Sequence, residues 1–170
     1  MKILLAEDQA MVRGALAALL TLACDSVNEI EIVEVEDGDK AMQQLKTDSF
    51  DLLLTDIEMP GKSGLELSQW LQQQRSQTKV IILTTFGRAG YIKRALEYGV
   101  GGFLLKDAPS EDLINAIKQV MAGKRVIDPE LAFTAIGEID PLNDKERRAL
   151  RLASEGLSTS DIASQLFIAE

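Results

Sequence analysis

Residues 52–67 have the sequence LLLTDIEMPGKSGLEL, and this stretch decides the fold. The uninterrupted apolar run at 52–54 is typical of a parallel strand that is buried on both faces. Asp56 ends that strand, a Pro-Gly pair breaks the chain, and a helical pattern starts at Leu65. The stretch therefore predicts one strand-then-helix unit with an acidic residue at the end of the strand.

The same alternation extends on both sides of this stretch. We predict five strands, at Ile3–Ala6, Ile30–Val35, Leu52–Thr55, Val80–Thr84 and Gly102–Leu105. We predict five helices, at Met11–Leu22, Lys40–Leu45, Leu65–Gln74, Tyr91–Glu97 and Leu113–Met121. Five such units in succession indicate a doubly wound α/β fold, in which helices cover both faces of a parallel sheet. Glu31 and Glu34 alternate with apolar residues in the second strand, which favours a place at a sheet edge.

The composition excludes several classes of function. The chain has 170 residues, a net charge of −9 and no histidine. Without histidine there are no His-based triads, metal sites or general bases, so carboxylates, lysine and hydroxyls must carry any chemistry. The negative charge argues against strong non-specific binding to nucleic acid. No apolar run approaches the ~20 residues of a membrane span, so we expect a cytoplasmic protein without a membrane partner.

Polar side chains stand at the ends of four of the predicted strands. They are Glu7, Asp8, Asp56, Thr84 and Lys106. Because the carboxyl ends of parallel strands meet at one edge of the sheet, adjacent first and third strands would bring three carboxylates into one crevice. Clustered carboxylates repel one another and need a cation. With oxygen ligands alone, Mg²⁺ is the ion that such a site favours.

This set of residues is suited to accept a phosphoryl group. Asp56 can form an acyl phosphate when a metal ion and a lysine offset the negative charge. The Lys106 ammonium and the Thr84 hydroxyl can both contact phosphoryl oxygens. Each residue taken alone also has an ordinary explanation as a turn, a helix-end or a surface residue. Their common place at the ends of different strands favours the phosphoacceptor interpretation.

Four ordered motifs carry a resemblance to a known family. They are LLAEDQ (Leu4–Gln9), LLLTDIEMPGKSGLEL (Leu52–Leu67), VIILTTF (Val80–Phe86) and GVGGFLLKD (Gly99–Asp107). Over residues 1–125 the chain resembles the CheY-like receiver domain of bacterial two-component response regulators. That family has a five-stranded parallel sheet in the flavodoxin-like order 2-1-3-4-5.

The resemblance implies roles for the residues at the sheet edge. Asp8 and Asp56, with the backbone carbonyl of Glu58, would hold Mg²⁺, and Glu7 would bind the ion through water. Asp56 would take its phosphoryl group from a phosphohistidine of a partner sensor histidine kinase. The implied protein is a regulator rather than an enzyme, catalysing only its own phosphoryl transfer and hydrolysis with Mg²⁺.

The resemblance also implies a switch. Lys106 and Thr84 would engage the phosphoryl oxygens, and Thr84 would move together with Phe103. Phe103 stands where tyrosine is commoner in the family, and Asp107 stands where many receivers have proline. Glu58 adds a carboxylate beside the pocket, and the direction of its effect on dephosphorylation stays open.

The end of the chain has a different character. Residues 126–140, with Pro129 and Gly137, lack a sustained period and predict a linker. Residues 141–170 resemble the N-terminal part of the LuxR-type helix-turn-helix of NarL/FixJ regulators. The recognition helix, which enters the major groove in that motif, would begin where this sequence stops. We therefore expect DNA binding only in a longer form; a helical pair that merely packs on the receiver is the alternative.

Three functions remain to be compared. The first is a phosphorylation-controlled transcription regulator that forms a phosphorylation-dependent homodimer. Its candidate dimer contacts lie on the first and fifth helices, at Met11, Ala15, Leu19, Ile114, Ile117 and Met121. The second is a stand-alone receiver that acts through protein–protein contact. The third is a phosphatase-like hydrolase, which would commonly need a second aspartate where Glu58 stands.

Overall fold

The computed structural model describes residues 1–23, 30–85 and 87–137. In these ranges the strands are β1 (Lys2–Ala6), β2 (Glu31–Val35), β3 (Leu52–Asp56), β4 (Lys79–Thr84), β5 (Gly102–Leu105) and β6 (Val126–Ile127). The helices are α1 (Ala10–Leu22), α2 (Gly38–Thr47), α3 (Gly64–Gln73), α4 (Ala89–Glu97), α5 (Ser110–Met121) and α6 (Pro129–Gly137). The first five strands and helices lie where the sequence predicts them, with ends shifted by a few residues at most.

The strands form one parallel sheet in the order β2-β1-β3-β4-β5-β6. This confirms the doubly wound α/β fold, the adjacency of the first and third strands and the edge position of β2. Within the part of the chain that the structure describes, the number of strands is six rather than the predicted five. In the added strand, Val126 pairs with Gly102 and Ile127 with Phe103. A strand of two residues is too short to give a periodic signal in the sequence.

Alternation along the buried strands divides the core between the two faces of the sheet. Leu53 of β3 lies on the face that α2, α3 and α4 cover, where it joins Phe103. Its neighbours Leu52 and Leu54 lie on the opposite face, in the cluster that includes Leu20 of α1 and the buried residues of α5. Because side chains alternate across a strand, an all-apolar strand supplies both layers at once.

The segment after α5 differs from the predicted linker of residues 126–140. Residues 126–137 contain β6 and α6, and α6 packs against α4 and β5. Its Leu131 is only 2% exposed and lies in the same core cluster as Phe103. Pro129, which suggested a loop, is the first residue of α6, a position where proline's fixed φ suits a helix. The compact unit runs from Met1 to Gly137 rather than ending near residue 125.

Two further expectations concern the rest of the chain. The predicted helix-turn-helix portion, residues 141–170, lies outside the described residues. Among the helices of the described ranges, none has the length and apolar character needed to span a membrane.

Candidate functional site

The polar residues singled out in the sequence meet at the carboxyl edge of the sheet. Asp56 is the last residue of β3 and Thr84 is the last of β4, while Glu7 follows β1 and Lys106 follows β5. Because β1, β3, β4 and β5 are consecutive neighbours in the sheet, these strand ends lie side by side. The fold thus brings together on one edge residues that are up to a hundred positions apart in the chain.

Three carboxylates converge in this crevice. One oxygen from each of Glu7, Asp8 and Asp56 lies within 4.8 Å of the others. Glu7 is 1% exposed and Asp56 is 7% exposed, whereas Asp8 lies at the exposed mouth. A group of carboxylate oxygens at this spacing has the donor chemistry that a hard divalent cation prefers. The arrangement therefore fits a metal site of the kind that the sequence predicts.

Lys106 is the cation of the crevice. Its Nζ lies 2.8 Å from Asp56 Oδ2 and 2.7 Å from Glu7 Oε2. The same residue is anchored by its backbone, since its N–H donates to the Thr84 carbonyl at 2.8 Å. One ammonium thus bridges two of the three acids, which leaves the cluster with more negative than positive charge.

The environment shifts the pKa of two of these groups. Burial raises the pKa of the Glu7 carboxyl, and the bonds from Lys106 and from the Gln9 N–H offset this only in part. Burial by itself would lower the pKa of the Lys106 ammonium, but its hydrogen bonds to Asp56 and Glu7 outweigh burial and raise that pKa. Lys106 therefore stays charged at neutral pH, while the charge on Glu7 is the more costly one to maintain.

Asp56 is held in place by the turn that follows it. The Ile57 N–H donates to Asp56 Oδ1 at 2.6 Å, which leaves Oδ2 to face Lys106. The start of α3 approaches closely, so that a Cβ on Gly64 would lie 2.2 Å from the Asp56 carbonyl oxygen. Ser63 and Glu66 close this end of α3 with a reciprocal capping box. The LLLTDIEMPGKSGLEL stretch thus holds Asp56 from both sides.

Thr84 and Phe103 share one face of the sheet. Phe103 pairs with Ile82 in the β4–β5 ladder, and Thr84 is two residues beyond Ile82, on the same face. Both side chains are buried, with Thr84 at 5% and Phe103 at 2% exposure. This places the two predicted switch residues in one layer, beneath α4.

Glu58 stands apart from the carboxylate cluster. Its side chain is exposed, and its Oε1 accepts a hydrogen bond of 3.2 Å from the Tyr91 hydroxyl of α4. The guanidinium groups of Arg88 and Arg94 lie over the Tyr91 ring at 5.6 and 5.3 Å from its centroid. Sequence reasoning did not anticipate this link between the β3–α3 loop and α4, because neither residue has a motif that pairs them.

Arg13 is a second residue that the sequence reasoning missed. From α1 its Nη1 donates to the Glu7 backbone carbonyl at 2.7 Å, and its Nε lies 3.7 Å from Glu34 Oε2. An arginine in an amphipathic helix is ordinarily a solvated surface residue, so nothing in the pattern marked it.

Comparison with known proteins agrees with this geometry. Residues 3–118 match the response regulator receiver domain family. The transcriptional regulatory protein DesR of Bacillus subtilis is 46% identical over 98% of this chain and 81% of its own length. A DNA-binding response regulator of the LuxR family from Staphylococcus aureus is 35% identical, with a TM-score of 0.66 over 71% of this chain and 98% of that one.

A more distant structure extends the similarity of fold. The RcsB response regulator of Salmonella typhimurium has a TM-score of 0.70 over 99% of this chain and 84% of that one, at 23% identity. The receiver family covers most of the present sequence, and the sheet order and the acidic edge are those that the motifs predict. The chain therefore belongs to the two-component response regulators of the NarL/LuxR type, with a receiver domain at its N-terminal end.

Proposed function

We propose that Asp56 accepts a phosphoryl group from the phosphohistidine of a sensor histidine kinase, in a reaction that requires Mg²⁺. One observation supports this proposal more strongly than any other. Asp56 Oδ2 lies 2.8 Å from the Lys106 ammonium, within a cluster of three carboxylates, in a chain of the receiver family. A lone buried aspartate with a lysine would suffice for a structural ion pair, whereas a surplus of two more acids beside them favours a cation-dependent site.

Three of the residues proposed for the metal belong to the same cluster, and the backbone carbonyl of Glu58 is added from the resemblance to the receiver family. Asp8 and Asp56, with the backbone carbonyl of Glu58, are the proposed direct ligands, and Glu7 is the proposed partner of a metal-bound water. The oxygen-only donor set supports Mg²⁺ over softer metals. When bound, the ion supplies positive charge that offsets both the carboxylates and the incoming phosphoryl oxygens.

The proposed transfer needs no general base. An Asp56 carboxylate oxygen attacks phosphorus, an acyl phosphate bond forms, and the P–N bond to the donor histidine breaks, leaving a neutral imidazole once it has taken up a proton. Lys106 keeps its charge beside the new phosphoryl group, and the Thr84 hydroxyl is the proposed donor to a phosphoryl oxygen. The buried position of Thr84 requires the end of β4 to adjust, and Phe103 in the same layer is its proposed partner in that movement.

The proposed output is control of transcription in a longer form of the chain, through DNA binding and a phosphorylation-dependent homodimer. This is supported by similarity to DesR, which is named as a transcriptional regulator and extends beyond the length matched here. Residues 141–170 are the proposed beginning of the DNA-binding domain, with the recognition helix to follow. A cytoplasmic location stays a prediction from the sequence.

Treatment with phosphoramidate and Mg²⁺, followed by intact-mass measurement, tests the proposed acceptor. The unaltered chain should gain one phosphoryl mass, and chelation of Mg²⁺ should prevent the gain. Asp56→Asn should not gain it, whereas Asp107→Asn, which removes an exposed aspartate near Lys106, should behave as the unaltered chain does. A phosphoryl gain by Asp56→Asn under the same conditions would show that the acceptor is wrongly assigned.

A further inference from the structure

Arg13 connects three elements at the acidic edge of the sheet. It lies in α1, and its guanidinium reaches back to the Glu7 carbonyl, which follows β1, at 2.7 Å. The same group lies 3.7 Å from Glu34, which belongs to β2. Its side chain is only 20% exposed, less than half the exposure of its partner Glu34 at 44%. Arg13 is therefore packed into the edge of the site rather than extended into solvent.

The Glu7 carbonyl is a group whose orientation the sheet does not fix. β1 ends at Ala6, and the last bond toward β2 is the one that the Glu7 N–H donates to the Val35 carbonyl at 3.1 Å. The Glu7 carbonyl belongs to the next peptide group along the chain, and it lies past the end of this ladder. Arg13 provides a donor there, with a planar fork that has one preferred orientation. The peptide between Glu7 and Asp8 is thus held by α1.

This peptide joins two members of the carboxylate cluster. Glu7 is buried and Asp8 is exposed, yet an oxygen from each must converge with Asp56 within 4.8 Å. The ψ angle of Glu7, together with the φ angle of Asp8, sets the direction of one side chain relative to the other. A hydrogen bond to the Glu7 carbonyl restrains the ψ angle of Glu7, and therefore the spacing of the two carboxylates.

We propose that Arg13 is a positioning residue for the divalent cation, acting through the Glu7 carbonyl to hold Glu7 and Asp8 at ligand spacing. The inference rests on the metal site of the proposed function and goes beyond it, because Arg13 itself touches neither the ion nor the phosphoryl group. Residues that orient metal ligands change affinity by about 10- to 100-fold when they are altered.

If Arg13 acted only through its charge, its substitution would change the Mg²⁺ affinity in the opposite direction. A guanidinium near the cluster repels a divalent cation, so a neutral substitute would tighten binding if Arg13 acted only through its charge. Positioning predicts weaker binding from the same substitute. The sign of the change therefore separates the two explanations.

Calorimetric titration of the metal-free, unphosphorylated chain with Mg²⁺ measures that sign. Arg13→Met should raise the dissociation constant about tenfold. Arg13→Lys, which keeps the charge and a donor group but loses the planar fork, should recover a part of the loss. Glu34→Gln, which removes the outer partner but leaves the Glu7 carbonyl contact, should bind within about twofold of the unaltered chain. Equal or tighter binding by Arg13→Met would overturn the proposal.

A rate measurement separates positioning from general damage. With phosphoramidate as donor, Arg13→Met should need about ten times more Mg²⁺ for half-maximal phosphorylation, while its rate at saturating Mg²⁺ should stay within about twofold. If the Met variant does not fold, Arg13→Gln, which is neutral, shorter and more polar, carries the same expectation. A lower saturating rate with unchanged Mg²⁺ dependence would contradict the proposal.

Two controls distinguish an error about the role of Arg13 from an error about the metal site. The unaltered chain should show saturable Mg²⁺ binding, and Asp8→Asn should weaken it. Absence of saturable binding in the unaltered chain would overturn the site and the role of Arg13 together. Normal binding in the unaltered chain with no effect of Arg13→Met would overturn the role of Arg13 alone.

Discussion

At the scale of single residues, Glu7 carries the charge that the fold accommodates least well. It is almost fully buried, and burial raises the pKa of its carboxyl despite the contact with Lys106. A group whose pKa is raised by folding stabilises the protein while it is protonated. That contribution is present below the ordinary pKa of glutamate and is lost as the pH rises through the raised value. At any pH above that raised pKa the metal-free site holds an unfavourable charge, which a bound cation would relieve.

Glu7→Gln should consequently increase the free energy of unfolding of the metal-free chain at neutral pH. The gain should shrink as the pH falls through the interval between the raised and the ordinary pKa of Glu7, because the native carboxyl becomes neutral there as well. Denaturant unfolding at a series of pH values, with a chelator present, measures the difference between the two proteins.

The same series needs a control for the general loss of negative charge. Glu58→Gln neutralises an exposed carboxylate near the pocket and should change the free energy of unfolding by no more than about 0.5 kcal/mol. Added Mg²⁺ should stabilise the unaltered chain more than Glu7→Gln. A metal-free Glu7→Gln variant that is less stable at neutral pH would contradict this account of the buried charge.

At the scale of elements, α6 extends the compact unit beyond α5, where the sequence predicts that the receiver ends. The helix packs on α4 and β5, and its Leu131 occupies the space beside Gly87, where an added Cβ would lie 1.9 Å from the leucine Cδ2. Gly87 is in the connection between β4, which ends at Thr84, and α4. The segment after α5 is thus in contact with the connection that leaves the acidic edge of the sheet.

Leu131→Ala should destabilise the chain by about 3 kcal/mol, within the range for a buried leucine that leaves a cavity. Phe133→Ala on the same helix removes a side chain that is 80% exposed and should cost no more than about 0.5 kcal/mol. Thermal and denaturant unfolding of the two variants measure the contrast. Equal, small effects would mean that α6 is not part of the folded unit.

The elements also show how far the sequence could predict the structure. The strand that ends at Asp56 was predictable because few other structures are compatible with a continuous apolar run that is followed by an acid and a turn. The α6 helix was not, because its apolar run is short and Pro129 is ambiguous between a loop and a helix start. Arg13 was not, because its partner is a backbone carbonyl, and only the folded chain brings the two together.

At the scale of the whole molecule, two copies that associate must overcome their electrostatic repulsion, since each chain carries a net charge of −9. An apolar groove of about 430 Å³ lies between α1 and α5 and extends to Lys106. Met11, Ala15 and Leu19 line it, and Met11 is 88% exposed. Of the candidate dimer contacts named from the sequence, Ile117 is instead buried in the core. The groove supports the α1 side of the predicted dimer face.

Met11→Glu should weaken phosphorylation-dependent dimerisation by about tenfold or more, since it would bury a charge between two acidic chains. Phe133→Glu, which adds the same charge at an exposed apolar residue of α6, should dimerise as the unaltered chain does. Sedimentation velocity before and after phosphoramidate treatment compares them. A Met11→Glu variant that dimerises normally would exclude this face.

Asp56, and no neighbouring acid, is the residue that we propose carries the phosphoryl group. Borohydride reduction of the phosphorylated chain converts an acyl phosphate of aspartate to homoserine, and peptide mass mapping then locates the converted residue. We expect conversion at position 56 alone, dependent on both Mg²⁺ and the phosphodonor. Conversion at Asp8, or at another acid with Asp56 unmodified, would contradict it.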